Sequence, residues 1–152
     1  MANEHNFTAQ LRWTGGPGPD VASYSRDYTI ETPGKPPVPG SAPSVFKGSD
    51  ARHSPEDFLL ESLSACHLLT YLSLAARADI RVTSYTDSVS GTLAMKEGKM
   101  RMVDVLLKPV VTVDDPAKVA EATALHGKAH GQCFIANSVN FPVRNEPVVT
   151  AA

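Results

Sequence analysis

The chain contains no CxxC, no HExxH and no glycine loop leading into GKS. This removes the familiar signatures of paired-thiol oxidoreductases, zinc peptidases and phosphate-loop enzymes. No basic run, RNP-like motif or zinc-finger spacing occurs, and the net charge is −2. Nothing in the electrostatics calls for nucleic acid or an anionic surface. No uninterrupted apolar segment reaches the roughly 18 residues that span a bilayer. The N-terminus MANEHNFTAQ lacks the charged-then-apolar pattern of a secretory signal. The sequence therefore predicts a cytoplasmic protein with no membrane partner. Repeats, low-complexity tracts and a linker are also missing, so the 152 residues read as one domain, 1–152. Cysteine is scarce: Cys66 and Cys133 are the only two. In a reducing compartment such a pair is free, catalytic or metal-binding sooner than a static disulfide.

What is present is organised around SPEDFLLESLSACHLLTYLSLAAR, Ser54 to Arg77. Ser54 caps it, Pro55 suits the first helical position, and Asp57 stands where a capping-box acid reaches back. Leu59, Leu63, Cys66 and Leu69 or Thr70 form one stripe, and Leu60, His67 and Tyr71 another. The helix is apolar over most of its circumference, as a central helix is. Before it, 6–13 and 21–31 read as strands, with Tyr24, Arg26, Tyr28 and Ile30 on one face. GGPGPD at 15–20 is a turn. Residues 32–44 hold five of the twelve prolines and read as an irregular excursion, followed by a short strand at Val45–Phe46. After the helix, 79–95 and 100–113 read as two long antiparallel strands joined by EGK at 97–99, with Pro109 at a bulge or edge. Asp115 and Pro116 start a second helix to Ala129 or His130. It presents Val119, Ala122, Leu125 or His126, and Ala129 on one face. GQCFIANSV is irregular or helical, and FPVRNEPVV is a last strand. The order β-β-β-α-β-β-α-β makes an α+β fold with mainly antiparallel sheets, a long central helix and a second helix.

Each candidate chemical residue has an ordinary reading beside a sharp one. Cys66 and Cys133 are buried small hydrophobes, or a redox pair in which one sulfenic acid condenses with the other thiol. Redox chemistry needs a stabilised thiolate, and Cys66 is too deep in its helix for the helix N-terminus to supply it. Arg26 is a solvated strand arginine, or the cation for that thiolate. Glu56 is a first-turn acid favoured by the helix dipole, or the acceptor that holds the arginine fork. It precedes Cys66 by ten residues, close to three turns, and so shares nearly its face. His126 and His130 at i,i+4, with Cys133, His67 and Cys66, make a zinc set against the ordinary reading of polar positions near a helix C-terminus. A Cys66–His67 hydrolase is poorer, because adjacent helix residues diverge.

HSPEDFLLESLSACHLLTYLSLAA and ALHGKAHGQCFIANSVNFPV resemble two motifs of the OsmC/Ohr family of organic hydroperoxide reductases. YSRDY, GSA and YTDSVSG resemble its OsmC-like branch, and the likeness runs over about residues 8–149. The resemblance implies an OsmC-like fold in an intertwined homodimer with sites at the subunit interface. It carries the peroxidatic cysteine onto Cys66, the resolving cysteine onto Cys133 and the family's glutamate onto Glu56. The family's arginine maps onto Arg26, with Arg12 as the alternative. It implies a thiol peroxidase that needs no metal or other cofactor. The partners it implies are an organic hydroperoxide and an external dithiol, in the family often a lipoylated protein. Phe134 stands where the hydroperoxide-resistance branch has proline after its second cysteine. An apolar lining of Phe46, Phe58, Leu59, Leu63 and Phe134 predicts fatty or aryl hydroperoxides as substrates. The rival reading is a stress protein of the same fold that binds a small molecule or metal without efficient turnover.

Overall fold

The structure, a computed structural model, describes residues 3–15 and 20–152. Most of the glycine–proline turn expected at 15–20 lies outside the described residues. The chain divides into two compact units, 1–58 and 59–152.

In the first unit, β1 (Gln10–Arg12), β2 (Tyr28–Glu31) and β3 (Val38–Gly40) form an antiparallel sheet with β2 at its centre. The expected strand 21–31 is cut to four residues. Asp20 explains why: its carboxylate accepts from Ala22 N–H at 2.9 Å, and its carbonyl accepts from Ser23 N–H at 3.0 Å. This local bonding bends the chain before a ladder can form. Tyr24 and Arg26 therefore precede the sheet and do not share a strand face with Tyr28 and Ile30. Strand β3 forms where an irregular excursion was expected. It is an edge strand, where Pro39 can lack an N–H without breaking an inner ladder. Tyr28 lies across Gly40, and a Cβ there would fall 2.3 Å from its ring. Val45–Phe46 belongs to a 3-10 turn, Ser44–Phe46, and not to a strand.

Helix α1 runs Pro55–Arg77. The capping box is made: Asp57 N–H donates to Ser54 Oγ at 3.1 Å, and Ser54 N–H donates to Asp57 Oδ2 at 2.8 Å. At the far end Ile80 N–H donates to Ala75 O at 2.9 Å around Asp79, which has φ 54°. This left-handed closure stops the helix. By length and composition α1 is apolar enough to cross a membrane, which corrects the expectation of no such segment. No charged residue occurs from Ser62 to Ala76, and its serines, threonine and cysteine are too weakly polar to interrupt the run. One side of it packs into the protein interior, while Leu69 and Leu72 on the other are exposed. Leu63, His67, Tyr71 and Ala75, four apart, are buried along one stripe.

The expected long hairpin is split between two sheets. Strand β4 (Val82–Asp87) pairs with β7 (Pro109–Val113), while β5 (Ser90–Lys96) pairs with β6 (Lys99–Leu107). The breaks fall opposite one another, at 88–89 and at Lys108. Pro109 opens β7 in the middle of its sheet, where a missing N–H is tolerated at the first position. A 3-10 turn (Pro116–Lys118) capped by Asp115 leads into α2 (Val119–Gln132). The last segment gives two strands in place of one. Strand β8 (Val143–Asn145) joins β6 in parallel and β9 (Val148–Ala151) joins β7 in parallel. Two cores result. Leu63 meets Val105, Leu107 and Val143. Tyr71 and Ala75 meet Val111 and Val113 of β7 and Ala122, Leu125 and Ala129 of α2. His67 lies on α1 between the two. The fold is α+β with mostly antiparallel pairing.

Candidate functional site

Cys66 stands in the middle of α1, half-buried, on the flank of the buried stripe. Its carbonyl accepts from Thr70 Oγ1 at 2.8 Å. Cys133 closes α2 and is 1% exposed. The chain after it is pinned back over the helix end. Asn137 N–H donates to Cys133 O at 3.0 Å, and Asn137 Nδ2 donates to Gly131 O at 3.1 Å. Ala136 N–H donates to the Cys133 sulfur at 3.5 Å.

The fold brings the two thiols together, and both are free. Burial pushes the Cys133 thiol up to about 11, and the hydrogen bond its S–H donates to the adjacent Cys66 side chain adds to this. The N–H of Ala136 pulls the other way, more weakly. Cys133 is thus a protonated thiol at neutral pH, a poor first nucleophile, shielded from solvent. Cys66 is the more accessible sulfur. Phe134, beside Cys133, is 82% exposed. Leu63, expected to line a substrate surface, is instead fully buried in a core.

One residue along α1 from Cys66, His67 Nε2 lies 3.0 Å from His126 Nδ1 on α2. Tyr71 stacks on His126 with ring centroids 4.1 Å apart. Burial holds both imidazoles below their ordinary range, His126 at about 4. Sequence reasoning counted these histidines as zinc candidates or polar positions and did not pair them. The available signal was the i,i+3 and i,i+4 apolar stripe of α2, on which His126 falls with Ala122, Leu125 and Ala129. Among the described residues no three His, Cys, Asp or Glu side chains converge as a metal requires. The pair spends its facing nitrogens on each other.

Arg26 and Glu56 belong to the first unit. The Arg26 guanidinium donates to Val21 O at 2.7 Å and Tyr24 O at 3.2 Å, and stacks 4.3 Å above the Tyr24 ring. It borders an apolar cavity of about 400 Å³ with Leu11, Trp13, Tyr28 and Pro55. Glu56 Oε2 is buried without a hydrogen-bond partner, so no fork between Arg26 and Glu56 forms. The arginine that shares a cavity with Glu56 is Arg52, together with Asp50 and Asp57. Arg52 also pairs with Asp27 at 3.1 Å. It was not singled out in the sequence, although it precedes the Ser54 cap by two residues. Arg12 is committed to Glu31 through two bonds, at 3.1 and 3.3 Å.

A protein-family model described as OsmC-like protein matches residues 48–146. An OsmC-like protein of unknown function from Vibrio cholerae is 31% identical, with a TM-score of 0.87, over 95% of this chain and all of that one. An organic hydroperoxide resistance protein OsmC from Legionella pneumophila is 20% identical, with a TM-score of 0.69, over 97% and 99% of the two chains. An organic hydroperoxide resistance protein from Elizabethkingia anophelis is 17% identical, with a TM-score of 0.68, over 98% and 99%. No curated protein matches the sequence. The last two likenesses speak to fold alone.

Proposed function

The chain belongs to the OsmC-like family, and on that premise we propose that it is a two-cysteine peroxidase for organic hydroperoxides. The observation that carries the reading is the unequal pair of adjacent thiols, Cys66 half-buried and Cys133 enclosed with a raised pKa. The Cys66 thiolate attacks the distal oxygen of ROOH, the O–O bond breaks, and the departing alkoxide takes a proton to leave as ROH. The sulfur is left as a sulfenic acid. The Cys133 sulfur then attacks the Cys66 sulfur, hydroxide departs, and the Cys133 proton converts it to water. A high pKa suits Cys133 to this second role, because the thiol stays out of the first reaction. An external dithiol, such as a lipoylated protein, reduces the disulfide by exchange and becomes a disulfide itself.

The same reading assigns Arg26 and Glu56 to stabilising the thiolate and orienting the peroxide. It treats 1–152 as one functional domain and a homodimer as the working form. Exposed Leu69 on α1 and exposed Phe134 supply apolar surface for that dimer and for a fatty or aryl substrate.

The test is a thiol titration. One equivalent of cumene hydroperoxide should remove both thiols per chain from the wild type. Cys66→Ser should keep its remaining thiol, and Cys133→Ser should give a dimedone-trappable sulfenic acid. Unchanged thiols in the wild type would sink the reading and favour a non-enzymatic ligand-binding role, for which the cavity beside Trp13, Tyr24 and Tyr28 is the candidate site. Arg26→Ala should slow loss of the first thiol, and an unchanged rate would remove Arg26 from the mechanism.

A further inference from the structure

The peroxide chemistry above makes no use of the most deeply buried polar feature of the second unit. His67 and His126 are each 1% exposed and hydrogen-bonded across 59 residues of sequence. Their rings are nearly parallel, 11° apart. One facing nitrogen carries the hydrogen and donates it to the lone pair of the other. The outer nitrogens, His67 Nδ1 and His126 Nε2, are buried and unpartnered, as are the hydroxyls of Tyr71 and Tyr85. Two leucines would fill this space without the cost of stranding polar atoms. What a histidine pair adds is direction: it fixes one atom of α1 against one atom of α2.

The location gives that direction a purpose. His67 directly follows Cys66 on α1. His126 precedes Cys133 by seven residues, two helical turns, and so lies on nearly the same face of α2. The bond therefore ties α1 one residue from Cys66 to α2 two turns before Cys133, joining the two segments that carry the sulfurs. We propose that His67 and His126 are positioning residues that hold the Cys133 segment in register with Cys66 for disulfide closure.

The surroundings support a bond that stays neutral. Tyr71 of α1 covers one face of His126, and Tyr85 of β4 approaches it. His130 of α2 acts on His67 in the unfavourable sense for charge, and Asp87 of β4 in the favourable one. Asp87 is itself occupied: it accepts from Lys108 N–H at 2.7 Å and from Ser64 Oγ at 2.5 Å.

The inference rests on the two-cysteine reading for its purpose, but its test does not need a peroxide. Diamide adds to one thiol, and the second thiol displaces the adduct. The azo bond is reduced to a hydrazine as two thiols become a disulfide, and both steps can be timed by quenching with an alkylating agent. Loss of one buried hydrogen bond should lower the ratio of the second rate constant to the first by about tenfold. His126→Leu removes the bond. His126→Gln keeps an amide but carries it to the outer nitrogen's place and also loses the bond. His126→Asn puts a polar atom where Nδ1 was and should recover most of the ratio. A 15N–15N coupling across the His67–His126 hydrogen bond should be visible in wild type.

Should His126→Leu fail to fold, the contrast of His126→Asn with His126→Gln carries the same test. The proposal is overturned if all folded variants keep the wild-type ratio, or if Asn and Gln fall equally. A protein that closes its disulfide with diamide but ignores hydroperoxides would defeat the peroxidase reading and leave this one standing.

Discussion

Acid should weaken this protein more than its carboxylates alone dictate, and His126 sets the size of the effect. Burial, helped by neighbouring His67, lowers His126 from 6.5 to about 4. In the unfolded chain the imidazole titrates near its ordinary value. Above pH 6.5 it is neutral in both states and contributes nothing to pH dependence. As pH falls from 6.5 towards 4, the unfolded chain takes up a proton that the folded chain refuses. Each pH unit across that window costs about 1.4 kcal/mol, so the whole displacement amounts to about 3 kcal/mol. Below about pH 4 the folded form is protonated too and the loss stops growing. His67, lowered by the same burial, acts in the same direction. Urea unfolding of wild type and His126→Asn, followed by far-UV circular dichroism from pH 7 to pH 4, isolates the term. Carboxylates titrate in both proteins and cancel in the difference. Wild type should lose about 3 kcal/mol more than the variant over this range. A difference constant to within about 1 kcal/mol would refute a buried, neutral His126.

Leu63→Ala should cost about 2–5 kcal/mol in the same urea assay, because the side chain is fully enclosed by Val105, Leu107 and Val143. Gly48→Ala should destabilise by about 1–3 kcal/mol, since its Cβ would lie 1.8 Å from the carbonyl oxygen of Ala42, and backbone must move. Arg144→Ala breaks a two-bond ion pair with Asp104 at 2.7 and 2.8 Å. Both partners are at the surface, so the thermal midpoint in physiological salt should not move measurably.

The central helix was legible because its signals are local. Ser54, Pro55 and Asp57 fix its start within four residues. Its buried side was not fixed, because the apolar spacing offered one stripe with Leu63 and Cys66 and another with His67 and Tyr71. The packing buries Leu63, His67, Tyr71 and Ala75. The lysine turn at 96–99 and the apolar face of α2 were legible for the same reason. What depends on partner choice was not. Nothing in the Val-, Thr- and Ser-rich run 79–95 says that its two halves pair with different strands in different sheets. Arg26 misled because YSRDYTI alternates like a strand, while Asp20, six residues upstream, had already turned the chain. The two cysteines were legible through motif likeness, whereas their unequal burial was not. The His67–His126 bond joins residues 59 apart, and only the packing of α1 against α2 creates it.

Strands β8 and β9 are separated only by Glu146 and Pro147, yet each completes a different sheet. This makes the segment intolerant of changes in length. Side chains on a strand alternate with period two, so losing or gaining one residue at 146–147 would invert every side chain of whichever strand slipped. Val143 would leave its core, or Val149 would turn away from its own. Insertions that the Lys96–Lys99 turn could absorb as extra loop would here become a choice between two sheets. In this part of the chain, residue count constrains the fold as firmly as residue identity.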